Sequence, residues 1–330
     1  MITEHGPPEV LRVQERPDPE PRPGEALVRV RAAGINFADL LARTGLYPDA
    51  PKPPCVVGYE FAGELETAAG DLPAGTRVMG GSRFGAYSER VAAQPANLIP
   101  LPDGWSFAEG AAVPVAYVTA YAGLVRFGSL HEGERVLIQA AAGGVGIAAT
   151  QVAKRAGAEV YGTASPAKHD AIASFGVDHP VGYDDFVPAV RRIAGQKQPL
   201  DVAFDAIGGS SFRKSFSLLR PGGRLVCFGA SQVAAGERRS PVRAARVLAR
   251  MPRWNTMRLM SESRSVIGLN MLRLWDAHGS LDEYIRPLAE WVRAGDVTPV
   301  VAKEFPLEEG AAAHRYVHER RNIGKVVLVP

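Results

Sequence analysis

Between residues 136 and 146 the chain runs V-L-I-Q-A-A-A-G-G-V-G, a short apolar run that stops at small residues and glycines just before a helical pattern begins. A strand that turns so tightly into a helix, with little side-chain bulk, leaves backbone N–H groups and the positive end of the helix dipole free to meet phosphates. Taken as G-x-G-x-x-G, the positions are Ala141, Gly143 and Gly146, with alanine in place of the first glycine. The pattern alone also fits an ordinary strand-to-helix turn, and its surroundings decide for a dinucleotide site.

From about Ala116 onward, strands alternate with Ala-rich helices, at 136–141, 160–164, 179–183, 202–207, 225–229 and 266–269. Strands separated by one helix each imply βαβ units and an α/β fold with a doubly wound parallel sheet. The first hundred residues have another texture: short strands broken by Pro and Gly, as at 26–32, where Leu27 and Val30 alternate with Arg29 and Arg31 after the turn P-R-P-G. Past about Tyr284 a helix precedes K-V-V-L-V-P, a closing strand expected to return to the first domain. With 330 residues and 46% hydrophobic side chains, two cores are expected. The division is a split β-rich domain, 1–115 plus 284–330, around an inserted cofactor domain, 116–283.

A net charge of +3 with 22% charged residues is too small a bias to argue for nucleic acid. Cys55 and Cys227 have no pairing pattern and no neighbouring histidine, which fits a reducing compartment and neither a disulfide scaffold nor a zinc cluster. The opening M-I-T-E-H-G-P-P-E-V lacks the apolar run of a signal peptide. No uninterrupted apolar segment reaches the ~18 residues of a bilayer span, so a soluble cytoplasmic chain is expected. Residues 231–264 are the basic exception: Arg238, Arg239, Arg243, Arg246, Arg250, Arg253, Arg258 and Arg264 face only Glu237 and Glu262, with Val242, Val247, Leu248 and Met251 near helical spacing. A membrane-surface or partner helix fits, and so does the commoner case of a solvated helix packed on its own domain.

In chains that bind NAD, an acid at the end of the second strand accepts hydrogen bonds from the adenosine ribose. Here that strand closes on Gly162, Thr163, Ala164 and Ser165, followed by Lys168, while Glu159 opens the strand and belongs at the opposite end of the sheet. A hydroxyl and an ammonium both donate hydrogen bonds and one cancels charge, which suits a 2′-phosphate and predicts NADPH over NADH. Surface serine and lysine acting as filler is the competing reading.

Together, the strand–turn–helix, the G-T-A-S corner and the missing acid make the chain resemble the medium-chain dehydrogenase/reductase superfamily, in its zinc-free quinone oxidoreductase branch. The resemblance runs nearly end to end. It is carried by A-A-G-I-N-F-A-D-L-L-A-R-T-G-L-Y (32–47), V-G-Y-E-F-A-G (57–63), V-T-A-Y-A-G-L (118–124), A-A-A-G-G-V-G and the final R-N-I-G-K-V-V-L-V-P. Within the branch, G-T-A-S-P-A-K-H and R-N-I-G-K are similar to the vesicle amine transport protein homologues. The resemblance implies a GroES-like β-rich catalytic domain split by an inserted Rossmann domain. The chain departs from it at the start, where the opening strand is shortened to about Ile2 and Thr3.

Position by position, the zinc-dependent relatives carry a Cys where this chain has Asn36, a His where it has Tyr59, and a Cys or acid near Val115. Zinc needs thiolate, imidazole or carboxylate donors, and Glu60 alone does not hold a catalytic metal. Without a Lewis acid, the implied acceptor is already electron-poor, a quinone or an α,β-unsaturated carbonyl. By family similarity Gly143, Gly144, Val145 and Gly146 cradle the pyrophosphate, Ser165 and Lys168 receive the 2′-phosphate, and Tyr183 and Arg320 complete that pocket. Asn36 and Thr119 hold the nicotinamide ribose and ring, Phe228, Gly229 and Asn270 line the cofactor cleft, and Tyr47 contacts substrate near the hydride.

Each assignment has a plainer counterpart: Asn36 satisfying a loop backbone, Thr119 as a helix N-cap or back-bonded hydroxyl, Tyr47 packing before Pro48. The seven histidines show no pair at ligand spacing, and His169 and His179 read as surface or strand-edge residues. Two rival functions stay open: an enoyl-thioester reductase whose acyl carrier meets the arginines of 238–264, and an NADPH-binding membrane, RNA or partner module with little turnover. The apolar run 266–269 at a sheet edge predicts a homodimer.

Overall fold

A computed structural model describes residues 1–234, 236 and 240–330, with the backbone alone at 234 and 241. The chain forms two compact units, one from Met1–Val118 and Met271–Pro330, the other from Thr119–Ala235 and Ser240–Asn270. The return to the first unit comes at Met271 rather than 284. The helix Met271–His278 is tied to that unit by ion pairs from Asp276 to Arg83 and from Arg273 to Asp49, each at 2.7 Å.

The strands among the described residues are β1 (Ala26–Gly34), β2 (Glu60–Leu65), β3 (Arg77–Gly81), β4 (Arg90–Ala93), β5 (Leu98–Pro100), β6 (Arg135–Ile138), β7 (Glu159–Thr163), β8 (His179–Val181), β9 (Leu200–Asp205), β10 (Leu219–Cys227), β11 (Ser265–Gly268), β12 (Val301–Pro306) and β13 (Lys325–Val329). The first unit's sheet has the order β12-β13-β1-β2-β3-β5, with β4 also paired to β1. The alternation differs from the sequence reading at Leu27: Ala26, Val28 and Val30 point into the core with Phe61, Val78, Val326 and Leu328, and Leu27, half-buried, falls on the outer face. Arg29 and Arg31 face outward and pair with Glu66 and Glu64. K-V-V-L-V does return to this unit, since β13 runs antiparallel to β1 with Ala33 opposite Leu328. The strand β12, parallel to β13, had no sequence signal. Near the N-terminus Ile2 bridges to Cys55, with hydrogen bonds of 2.9 and 3.0 Å, and to Leu11.

The second unit holds the six expected strands in one sheet, order β11-β10-β9-β6-β7-β8, all pairings parallel. Every residue of β9 is buried, as a parallel strand covered on both faces requires. Strands β7 and β8 extend to one side of β6 and β9 to the other. The order therefore reverses at β6, and in such sheets ligands bind beyond the carboxyl ends at that point. The edge strands are β8, paired only to β7, and β11, paired only to β10 and half-exposed.

The helical stretch Phe107–Phe127 is long and apolar enough to cross a bilayer by length and composition, though interrupted by polar residues; most of it is buried within the protein.

In the basic segment, Ser240 caps the helix Pro241–Arg250 and Asn255 caps Thr256–Glu262. The apolar residues do not share one face: Val247 is buried and Met251 packs on the second unit's core, while Val242 and Leu248 point outward. Arg243, Arg246, Arg250, Arg253 and Arg258 are exposed, and Arg264 lies over the Phe216 ring. Arg238 and Arg239 lie outside the described residues.

Candidate functional site

In the second unit, β6 ends at Ile138 and the chain turns through Gln139–Gly143 into the helix Gly144–Arg155. Ala140 takes a left-handed conformation, φ +57°, which a side-chain-bearing residue adopts only where its surroundings hold it there. A Cβ on Gly146 would come within 2.3 Å of the Ala140 carbonyl oxygen, so only glycine lets the helix sit this close to the turn. At Gly143, by contrast, a Cβ would meet nothing closer than 3.5 Å. Gly143 is the N-cap and offers no side chain to the helix's first N–H groups. A bare, positively polarised helix start beside open space fits an anionic phosphate.

The turn is braced from beneath by a buried polar chain. Ala140 N–H donates to Thr163 Oγ1 at 3.0 Å, Thr163 to Gln139 Oε1 at 2.7 Å, Gln139 Nε2 to Ser215 Oγ at 3.2 Å, and Ser215 to Asp205 Oδ2 at 2.8 Å. Asp205, fully buried, also accepts from Ser211 at 2.7 Å and Ile207 N–H at 2.8 Å. Burial pushes its carboxyl up, against the pull of those donors.

The other second-unit candidates lie mostly at or just past strand ends. Ser165 and Lys168 bracket a short turn after β7, with Lys168 N–H on the Ser165 carbonyl at 2.9 Å. Glu159 sits at the far end of β7, paired with Arg135 at 2.7 Å and His179 at 2.8 Å. Tyr183, half-buried, follows β8. Phe228 stacks on Phe204 with centroids 3.8 Å apart, Gly229 follows it, and Asn270 follows β11. Thr119 is buried within the helix Pro114–Tyr121, which removes the N-cap reading.

The first unit holds a denser cluster. Asn36 precedes the helix Phe37–Thr44, and its N–H donates to Asp39 Oδ2 at 2.7 Å. Its side chain does not serve a loop backbone. Asn36 Nδ2 donates to Glu60 Oε1 at 2.8 Å, and Lys325 Nζ donates to Asn36 Oδ1 at 2.6 Å while pairing with Glu60. The other Glu60 oxygen accepts Val115 N–H at 2.8 Å. Two of the three positions that carry zinc ligands in the relatives of the resemblance thus converge on one buried carboxylate neutralised by an ammonium. Gly34 makes room: a Cβ there would lie 2.6 Å from Glu60 Oε1.

Beside this, Tyr87 donates to Asp39 Oδ2 at 2.9 Å and contacts His314 Nε2 at 3.2 Å. With the phenol proton on Asp39, the imidazole is the donor to the phenol oxygen, so His314 is protonated at Nε2. Burial raises Asp39 to about 7 and, together with Arg43 and His318, holds His314 well below its ordinary value. His314 is the functional candidate that sequence reading missed, since nothing near it in sequence marks its partners.

Tyr47 is half-buried against the first unit's core, its ring edge-on to Tyr59 with centroids 6.4 Å apart. Burial, then Asp49, raises the Tyr47 phenol to about 12, and burial raises Tyr59 further. Both are therefore hydrogen-bond donors at neutral pH, and the buried Tyr59 hydroxyl has no hydrogen-bond partner. Arg320 belongs to the first unit, exposed, at φ +56° after the helix Gly310–His318. Among the described residues no group of three or more His, Cys, Asp or Glu could hold a metal ion.

Residues 22–103 match the family described as alcohol dehydrogenase GroES-like domain and residues 175–328 the one described as zinc-binding dehydrogenase. A synaptic vesicle membrane protein VAT-1 homolog of Danio rerio is 37% identical over 99% of this chain and 69% of its own length. Among solved structures, the CurK enoyl reductase superposes with a TM-score of 0.85 at 27% identity, covering 99% of this chain and 97% of its own. A quinone oxidoreductase of Escherichia coli, complexed with NADPH, does so at 0.84 and 29%, covering 100% and 98%. A GroES-like sheet interrupted by a doubly wound parallel sheet, together with identity along nearly the whole sequence, makes this chain a member of the medium-chain dehydrogenase/reductase superfamily.

Proposed function

We propose that the protein is an NADPH-dependent oxidoreductase that reduces a quinone or an α,β-unsaturated carbonyl without a metal ion. The observation that carries the metal-free reading is Glu60. Asn36 and Lys325 occupy one of its oxygens and Val115 N–H the other, so the carboxylate is already neutralised and bonded where a cation would need it.

NADPH, when bound, supplies the hydride. The chain's own residues bind and orient. The N–H groups of Gly144, Val145 and Gly146 meet the pyrophosphate, with Gly143 leaving room for it, and Ser165 and Lys168 donate to the 2′-phosphate. Tyr183, Phe228, Gly229, Asn270 and Thr119 shape the coenzyme surface of the second unit. In the first unit Tyr47 offers its phenol hydrogen to the oxygen of the acceptor.

The test is NADPH oxidation with 1,4-benzoquinone, 9,10-phenanthrenequinone and 2-alkenals by protein of known metal content. Turnover in zinc-free protein is expected. No oxidation across the panel, or activity that tracks stoichiometric zinc, overturns the proposal. The likeness to the CurK enoyl reductase favours a second reading, reduction of an enoyl thioester. Activity on crotonyl thioesters with none on free enones decides for it. We infer also that a second copy pairs along β11, an edge strand. Light scattering from a 35.2 kDa particle overturns that inference.

A further inference from the structure

The hydrogen-bond chain under the glycine turn has one direction. Ala140 N–H gives to Thr163, Thr163 to Gln139, Gln139 to Ser215, and Ser215 to the Asp205 carboxylate, which can only accept. Each oxygen along it is held as acceptor on one side and, for the two hydroxyls, as donor on the other, so no link can rotate independently. Thr163, Gln139, Ser215 and Asp205 are all nearly or fully buried, and water does not substitute for a lost link.

The chain ends on the N–H of Ala140, the residue in the left-handed conformation, whose carbonyl oxygen then accepts Gly143 N–H at 3.0 Å. The carboxylate that begins it lies at the end of β9 and the turn it reaches follows β6. These are the two strands flanking the point where the sheet order reverses.

We propose that Asp205 and Ser215 are positioning residues for the coenzyme, acting through Gln139 and Thr163 to lock the turn that aims the first N–H groups of the helix Gly144–Arg155. This rests on the coenzyme reading above. Asp205 never touches the ligand; it fixes the polarity of the chain that holds Ala140 in its strained conformation.

Ser211 supplies an internal control, because it donates to the same Asp205 oxygen at 2.7 Å yet leads nowhere toward the turn. A purely structural carboxylate loses as much from Ser211→Ala as from Ser215→Ala. A positioning carboxylate separates them.

The experiment is NADPH titration of the full chain by calorimetry, with thermal unfolding of the same samples without coenzyme. Both serine variants are expected to lower the melting temperature, Ser215→Ala the more because it also leaves Gln139 Nε2 without an acceptor. Ser215→Ala should weaken NADPH binding about tenfold and Ser211→Ala less than about twofold, the usual range for one buried hydrogen bond lost or kept. Thr163→Val, which cuts the chain at the turn and keeps side-chain shape, should match Ser215→Ala and serves where that variant does not fold. Wild-type protein that binds NADPH while the two serine variants weaken it equally, or while Thr163→Val binds unchanged, overturns the positioning role alone. Wild-type protein that ignores NADPH overturns the coenzyme reading and this one with it.

Discussion

The two units bury polar groups in opposite ways. Beneath the glycine turn one carboxylate, Asp205, is surrounded by neutral donors: two serines and backbone N–H groups. In the first unit, Glu60 and Lys325 form an ion pair with their side chains 0% and 5% exposed, and Asp39, Tyr87 and His314 form a second buried group beside them. A neutral shell around one charge fixes backbone shape. Paired opposite charges bind distant segments together but make each partner costly to lose.

The largest effect expected from that contrast is at Lys325. Lys325→Met leaves Glu60 a buried carboxylate without its cation and should destabilise the chain by about 3–5 kcal/mol, whereas the double variant with Glu60→Gln should recover most of it. Urea unfolding measures both. A single variant within about 1 kcal/mol of wild type, the ceiling for an exposed pair, would show that the ion pair is hydrated and that the comparison between the units fails.

The second group gives a pH signature. Asp39 stays protonated in the folded chain up to about 7, against an ordinary 3.8, so its contribution is complete below 3.8 and is lost as pH rises through about 7. His314 stays neutral in the fold while the unfolded chain takes up a proton below 6.5, so its contribution is complete above 6.5 and is lost as pH falls. Between these limits unfolding releases one proton from Asp39 and binds one at His314, and the two slopes cancel. Asp205, raised by burial, adds a contribution of the same sign as Asp39 to wild type and variants alike. Relative to wild type, Asp39→Asn should gain stability with rising pH between about 4.5 and 6 by about 1.4 kcal/mol per unit, and His314→Gln should lose it by as much. Parallel curves for all three proteins would mean that neither group keeps its buried protonation state.

How much could be read in advance follows the same divide. The glycine turn was legible because its parts are contiguous: apolar run, small residues, glycines, helix. The parallel pairing of the six strands followed from βαβ alternation, and the missing acid after β7 could be read residue by residue. The polar chain beneath the turn was not legible, because Thr163, Ser215 and Asp205 look like ordinary strand-end and helix residues until the sheet brings them together. Asn36 was read as standing at a vacated ligand position and near the nicotinamide, and Glu60 as a lone carboxylate, but the link between them was not. Lys325 is 289 residues from Asn36, and His314 is 227 from Tyr87, so no periodicity or spacing could couple them. The return at Met271 has no local mark either, since the helix that begins there meets Arg83 and Asp49, both distant in sequence.

The smallest effect concerns the corner after β7, proposed above for the 2′-phosphate, which differs from the braced turn. Ser165 and Lys168 sit on a short turn that is half-exposed, so the ammonium acts through a screened charge and not through a buried network. Lys168→Ala should therefore raise the NADPH KM by about tenfold or less, with the loss shrinking as salt rises, and leave the NADH KM unchanged. Ser215→Ala should weaken both coenzymes together at any salt, because the pyrophosphate turn is common to them. The pair separates recognition of the 2′-phosphate from the shape of the turn. If Lys168→Ala weakened NADH as much as NADPH, the corner would be holding the fold of the strand end, and the preference between the coenzymes would have to come from elsewhere in the second unit.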